Sequence, residues 1–481
     1  MTKLRSFILL TALGGAGAIG AAATAQTAGQ NNNNQAFFGG SLFGNSSSGI
    51  QGPGTRQTAR FLSDVEFNDN YDLRPDSLGN ALIWTNTLAY GLERRTRTDE
   101  FLFDAQGSVR ASDLPLIGTD VLADDPRIRL AFNRQIDDNR INFAVRYQRA
   151  DLDYFDPLSD LDIDGSFDDT ISGGTRESIR SNFGLSLNQQ GPVSLNLTGI
   201  LSQVNYYDTV DPDLNDTDRA TLRAGLGFSL SPILRLTTDA SYDRQKQEDA
   251  SDPDRTTRRA DIGFDALLNQ RVMARARIGY SEVEVNRSSG TTTDSGLVGS
   301  LGVVVTEKTG QTRADISSRR DENGLRTDAT IGKTLVWTNG QLDADLGVST
   351  NEFTDLRPVG RLQYTYDLPR SRITAALRQA TTADSAGNDV VNTGVNLGYR
   401  QLINNVSSLD FGVSGGLQRF ENSNRQATQR LNLTAQYNHA ITRDWSMNAG
   451  YRYRHRDSSS QPESHSNAIF VGVSRSWDSI R

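Results

Sequence analysis

The chain has 481 residues, 36% hydrophobic and 22% charged, with a formal net charge of −8 and a mean hydropathy of −0.51. It has no cysteine, which excludes disulfides, thiolate metal sites, cysteine nucleophiles and the lipid-bearing cysteine of a lipoprotein. The acidic balance argues against a nucleic-acid partner, and no later stretch approaches about 18 apolar residues, which excludes helical membrane spans.

Residues 1–25 read as a secretory signal peptide. Lys3 and Arg5 make a charged start, 7–22 an apolar Ala/Gly-rich run, and Ala23-Thr24-Ala25 a small-x-small cleavage site. Residues 26–57 are rich in Gln, Asn, Gly and Ser, and read as a low-complexity periplasmic segment.

From 58 to 481 one pattern recurs: short segments alternate apolar and polar side chains, then break at Gly, Pro, Asn or Asp. Successive side chains of a strand point to opposite faces, so this is strand periodicity. Leu82, Trp84, Leu88, Tyr90 and Leu92 share one face; Ile141, Phe143, Val145 and Tyr147 oppose Arg140, Asn142, Arg146 and Gln148. Val272, Ala274, Ala276, Ile278 and Tyr280 oppose Arg271, Arg275 and Arg277. About 22 such segments can be counted.

The connections alternate in length. Tight ones fall at Asp137-Asp138-Asn139, Ser231-Pro232, Asn269-Gln270, Thr338-Asn339-Gly340 and Leu368-Pro369-Arg370. Longer, more acidic ones fall at 153–176, 206–218, 245–257, 284–294, 380–389 and 456–465. Short periplasmic turns and long outer loops are the habit of bacterial barrels. Tyr90, Tyr147, Tyr280, Tyr364, Tyr399 and Tyr437 fall on apolar faces, as an interfacial girdle requires. The expected fold is therefore all-β: an antiparallel up-and-down transmembrane barrel over 58–481, of about 22 strands (roughly 18 to 24). The residues ahead of the first strand are few and polar, so no plug domain is expected.

The polar face carries Arg129, Arg140, Arg146, Arg180, Arg223, Arg235, Arg275, Arg277, Arg378, Arg400 and Arg452. It also carries Asp239, Asp261, Asp265, Asp343 and Asp345. Arg at the bilayer midplane costs roughly 2–4 kcal/mol, so these residues are expected to line a lumen. There they either set an ion preference or form cross-strand ion pairs that stiffen the wall.

The 153–176 loop contains Asp160, Asp162, Asp164 and Asp168, spaced like the first half of a calcium loop. Ile171 stands where a bidentate Glu would close the site, which excludes a full EF-hand. Weak calcium binding in an outer loop is the one metal expectation; no other cofactor is expected. The only histidines are His439, His455 and His465, there is no Walker loop, and enzymatic activity is not expected.

The run from Phe61 to Pro75, FLSDVEFNDNYDLRP, and the later Tyr451-Arg-Tyr-Arg-His-Arg resemble outer-membrane β-barrel porins encoded with exopolysaccharide export systems. Members of that family open with a strand, an Asp-Asn-type turn, a short Leu-x-Pro and a long strand. The resemblance implies a porin-like channel serving export of envelope polysaccharide, with polysaccharide-export components as partners. The alternative is a structural barrel whose acidic outer loops bind lipopolysaccharide or partner proteins. Either reading places the chain in the outer membrane of a Gram-negative bacterium, among its lipid and lipopolysaccharide. Either also makes it a client of the barrel-assembly machinery and, at this barrel size, a monomer.

Overall fold

The computed structural model describes residues 52–115, 118–151, 174–209, 215–248, 253–352, 356–383, 389–420, 427–457 and 462–480. The expected signal peptide, nearly all of the low-complexity segment and the aspartates of the calcium-like loop lie outside them. The strands are β1 (Gly54–Asn68), β2 (Ala81–Arg95), β3 (Asp99–Leu114), β4 (Gly118–Ile136), β5 (Asn139–Asp151), β6 (Thr175–Leu187), β7 (Val193–Tyr207) and β8 (Thr217–Ser231). They continue as β9 (Leu234–Gln247), β10 (Asp254–Leu267), β11 (Val272–Arg287), β12 (Gly290–Glu307), β13 (Gly310–Asp321), β14 (Gly324–Trp337) and β15 (Gly340–Thr350). The last are β16 (Arg357–Asp367), β17 (Ser371–Ala383), β18 (Asp389–Leu402), β19 (Ser407–Phe420), β20 (Thr428–Ala440), β21 (Trp445–Asp457) and β22 (Ser464–Ile480).

Each strand pairs antiparallel with its sequence neighbours, and β1 pairs with β22, so 22 strands close into one barrel. The seam runs from Arg56↔Ile480 to Asn68↔Ala468. Side-chain bonds fasten both of its ends. At one end Arg56 donates to Asp478 (Nη2–Oδ2 2.6 Å). At the other Ser466 Oγ donates to Asn68 Oδ1 at 2.8 Å, and Asp69 accepts from the Asn467 backbone and side-chain amides at 2.7 Å each.

At the end holding Gly54 and Ile480 the connections are two to five residues long. This end is periplasmic by the rule for bacterial barrels. All five tight turns read from the sequence are there. The opposite end carries the longer loops, but 284–294 is not one of them. β11 and β12 run on to a two-residue turn at Ser288-Ser289. Val283 and Val285 keep the alternation going, and the β-branched run Thr291, Thr292, Thr293 lies across the ladder from Asn286, Val285 and Glu284. Polar composition suggested a loop there; it belongs to a hairpin that stands above the membrane.

β4 starts at Gly118 and includes Pro126, although proline is one of the residue types at which the alternation breaks elsewhere. The strand passes through it at a bulge, where the β3 register shifts between Gln106 and Ser108 and Asp125 has φ 54°. A bulge is where a strand tolerates a residue without a backbone donor.

The barrel inverts the usual inside-out rule. Leu297, Leu346, Ile331 and Leu301 are 60–67% exposed and lie on the outer face, where lipid rather than water covers them. Along β11 and β12 the outward residues stay apolar from Val272 to Tyr280 and from Leu297 to Val305. Outward charges appear only beyond these limits. Arg258, Glu282 and Glu284 form ion pairs above (2.6 and 3.2 Å), and Lys333 and Glu307 pair below (2.6 Å).

Aromatic side chains mark both edges. Tyr90, Trp337, Tyr364, Tyr366, Tyr399 and Tyr437 face outward near the periplasmic strand ends. Tyr147 and Tyr280 face outward near the other edge, with their hydroxyls on Glu177 and Ser295. Arg475 lies on the outer face between the Trp445 and Trp477 rings, its guanidinium 5.3 and 4.8 Å from their centroids. A cation held on aromatic faces suits a headgroup layer.

Candidate functional site: the charged inner wall

Residues opposed in an antiparallel register share a face, so the outward position of Leu88 or Leu301 fixes the orientation of every strand in turn. By that count each arginine and aspartate expected on the lumen face stands on the inner wall. The register also brings many of them together.

The densest cluster spans β13 to β16. Arg313 forks onto Asp345 (Nε–Oδ1 2.6 Å, Nη2–Oδ2 2.7 Å) and onto Asp343 (2.9 and 3.2 Å). Thr334 donates to Asp343 at 2.6 Å, and Arg361 bridges the same two carboxylates at 2.6 and 3.3 Å. Asp343 and Asp345 meet in this way because positions two apart on one strand face the same side. Two guanidiniums and two carboxylates therefore balance within one patch.

A second cluster spans β9 to β11. Arg277 reaches Asp265 at 3.3 Å and Asp239 at 3.7 Å, Arg275 approaches Asp265 at 4.0 Å, and Arg259 pairs with Asp261 at 2.8 Å. Arg235 donates to Ser194. Farther round, Arg400 pairs with Asp410 at 2.5 Å and Arg452 with Glu66 at 3.1 Å. Arg129, Arg140, Arg146, Arg180 and Arg223 occupy a different stretch of wall, β4 to β8. There Arg140 donates to Asn133 at 3.0 Å and Arg180 to Asn182 at 3.4 Å.

Sequence reading missed Arg313, Asp410 and Glu66 as partners. The alternation Arg313, Asp315, Ser317, Arg319 against Ala314 and Ile316 carried the information for the first. It also missed the outer mouth. The segment 69–80 between β1 and β2 reads as a turn, yet Asn70, Tyr71, Asp72 and Leu73 are buried. Tyr71 packs with Ala81, Ile83 and Leu114 on the inside of the wall. Asn70 holds the segment, donating to Arg74 O (2.7 Å) and His465 O (2.9 Å) and accepting from Arg74 N (3.2 Å). Arg454 donates to Tyr71 O at 2.7 Å from the inner wall. Leu73 adopts φ 52°, a conformation that non-glycine residues rarely take. The first outer connection is thus a cap folded inward at the mouth.

The calcium reading cannot be placed, since Asp160, Asp162, Asp164 and Asp168 lie outside the described residues. Among the described residues no three acidic or histidine side chains gather as metal ligands. The string Gly412-Val-Ser414-Gly-Gly416 spells the pattern of a nucleophile elbow. It lies within β19, paired along its length, and not at a strand-to-helix turn.

A closed antiparallel barrel with an apolar outer band, two aromatic edges and a charged inner wall is an integral outer-membrane protein of the Gram-negative type. No family model and no curated protein matches the chain. Solved structures do. The FrpB iron transporter of Neisseria meningitidis (F5-1 variant, apoprotein form) superposes with a TM-score of 0.53 at 12% identity, over 89% of this chain and 82% of that one. The ferric-catecholate import receptor Fiu of E. coli K12, in its open form, gives 0.52 at 9% identity over the same shares. At these identities the likeness shows the fold.

Two expectations are corrected by it. The two barrels the chain superposes on are an iron transporter and a ferric-catecholate import receptor, not polysaccharide-export porins, so the porin reading taken from short motifs is not retained. The expectation of an interior without a plug falls with it, because 22-stranded outer-membrane transporters are the size class with a plugged lumen. Counting the residues before β1 was the wrong basis, and 1–51 lie outside the described residues.

Proposed function

We propose that the chain is an outer-membrane transporter that takes up a small hydrophilic solute along the inner wall of its barrel. The observation that carries this reading is the segregation of charge: inside the apolar band, the ion-pair clusters all face inward. A barrel serving only as a membrane scaffold needs an apolar outside, but has no need of partly buried Arg–Asp networks on the inside, which cost free energy unless well paired. Transporters of similar fold carry iron or ferric catecholates, so ferric chelates head the list of solutes to test. The experiment compares accumulation of radiolabelled ferric catecholate and of a panel of small charged and neutral solutes. It uses a deletion strain, the same strain complemented, and proteoliposomes with and without the purified protein. Faster accumulation of at least one solute with the protein present is expected. Equal accumulation of every solute in all pairs would overturn the reading.

A further inference from the structure

Outward cations at the periplasmic edge of the wall are met in different ways. Arg134 pairs with Asp99 at 3.4 Å and Lys333 with Glu307 at 2.6 Å, so each has its counter-charge beside it. Arg475 lies instead between the rings of Trp445 and Trp477, its guanidinium carbon 5.3 and 4.8 Å from their centroids. Its Nε is buried and has no hydrogen-bond partner, while the residue as a whole stays partly exposed. Among the described residues no carboxylate pairs with it. The undescribed residues that precede β1 or follow β22 include no Asp or Glu, and all the others belong to outer connections.

The register fixes the depth of this cation. Arg475 is opposite Trp445 of β21 on one side and Phe61 of β1 on the other, and Trp477 is the next outward residue of β22. Above it the outward residues are Val473, Val471 and Ile469, 40%, 51% and 64% exposed. Asn467 marks the outer edge of this face, where it accepts from the Tyr451 hydroxyl at 2.6 Å. From Asn467 to Arg475 the strand rises about 27 Å, or about 20 Å along the membrane normal at a tilt near 40°. Arg475 therefore sits at the lower edge of an apolar band about 25 Å tall, where acyl chains give way to headgroups. An arginine at this level ordinarily reaches along its stem into water. Two indole faces hold this one back, and an anion brought to it there lowers the cost of keeping a charge at the edge of hydrocarbon.

We propose that Arg475, Trp445 and Trp477 form a binding site for the phosphodiester of a bilayer phospholipid in the periplasmic leaflet. A guanidinium fork matches a pair of phosphate oxygens, and one phosphodiester supplies the single negative charge that Arg475 lacks. The ridge Val473-Val471-Ile469 gives an acyl chain of the same lipid an apolar track upward from the phosphate. The short connections at this end make the leaflet the periplasmic one. Lipopolysaccharide phosphates of the opposite leaflet lie at the other rim, so the phosphate is that of a phospholipid. The site is on the last strand, directly across the seam from Phe61, and is independent of what passes through the lumen.

The test uses the full chain purified in a non-ionic detergent and titrated with dioleoyl phosphatidylglycerol, the bound lipid being read by native mass spectrometry. Wild type is expected to hold it about tenfold more tightly than dioleoylglycerol, which has the same chains without the phosphate. Arg475→Gln should weaken phosphatidylglycerol binding about tenfold and leave dioleoylglycerol binding unchanged. Lys333→Gln, which removes a cation already paired with Glu307, should bind as wild type does. Millimolar inorganic phosphate should displace no lipid; displacement would mark a site for free phosphate and overturn the lipid assignment. Equal phosphatidylglycerol binding by wild type and Arg475→Gln would overturn the proposal as well. Arg475→Gln removes a charge from the edge of the apolar band and should keep heat-modifiable gel migration. If it fails to fold, wild type alone decides, because equal retention of phosphatidylglycerol and dioleoylglycerol leaves no role for the phosphate and sinks the site.

Discussion

The orientation of every strand rests on parity, and β12 offers a direct trial. Ser300 and Leu301 are adjacent, one facing in and the other out. The outward run from Leu297 to Val305 rises about 26 Å along the strand, or about 20 Å along the membrane normal at a tilt near 40°. Leu301, 60% exposed in the absence of lipid, lies at its centre. Leu301→Arg should therefore cost about 3 kcal/mol, within the range of roughly 2–4 for a midplane arginine. Val305→Arg, at the periplasmic edge of the same face, should cost about 1 kcal/mol or less. Ser300→Arg faces the lumen beside Arg277, and repulsion there should cost at most about 1 kcal/mol. The assay is urea-dependent equilibrium folding into phospholipid vesicles, followed by tryptophan fluorescence. Equal penalties at the three sites, or a larger penalty at Ser300 than at Leu301, would refute the assignment of faces.

Arg313→Gln strips Asp343 and Asp345 of their forked partner and leaves Arg361 alone between two carboxylates. Breaking a well-buried pair costs roughly 3–5 kcal/mol; this patch is partly solvated, so about 2 kcal/mol is expected in the same folding assay. Asn70→Ala removes the three side-chain bonds that hold the cap. Faster amide exchange confined to 69–80, with the wall strands unchanged, is the expected result. The hydrogen bond from Arg244 to Asp254 (Nε–Oδ1 2.9 Å) holds the Asp254 carboxyl below its ordinary value at the outer rim. A depressed carboxylate stabilises above its unfolded pKa, about 4, and the contribution is lost as pH falls through the folded value. Exchange protection at the outer end of the β9–β10 hairpin should thus be intact at pH 6 and diminished near pH 3.

Most of the strand map was legible because a barrel wall obeys one local rule, alternation, with no tertiary core to override it. The places where the reading slipped have local causes. Pro126, of a residue type that ends the alternation elsewhere, lies inside β4 at a bulge. The stretch 284–294 looked like a loop because hairpins above the membrane need no apolar face. The inner charges were legible as a set, since parity alone sorts Arg275 and Arg277 from Ala274 and Ala276. Their partners were not, because Arg313 meets Asp343 and Asp345 only through the register of three strands. The cap was invisible for another reason. Asn70 and Asp69 carry turn chemistry, and nothing in their spacing says that the turn folds inward onto β22. Function was hardest to read, because short motifs near Phe61 and Tyr451 recur wherever strands and turns alternate.

The seam between β1 and β22 has a consequence for how the molecule is made. Every other pairing joins strands that leave the ribosome within seconds of one another, whereas Arg56 and Asp478 are 422 residues apart. Closing a loop of that length costs about 5 kcal/mol in chain entropy, against about 2 for an ordinary hairpin. Until the last strand arrives, a half-built wall presents two bare edges to any other unfinished chain. The meeting of the ends therefore carries the largest loop-closure cost of any pairing in the wall. The Arg56–Asp478 bond and the Asn68–Ser466 contact can form only once these ends have met.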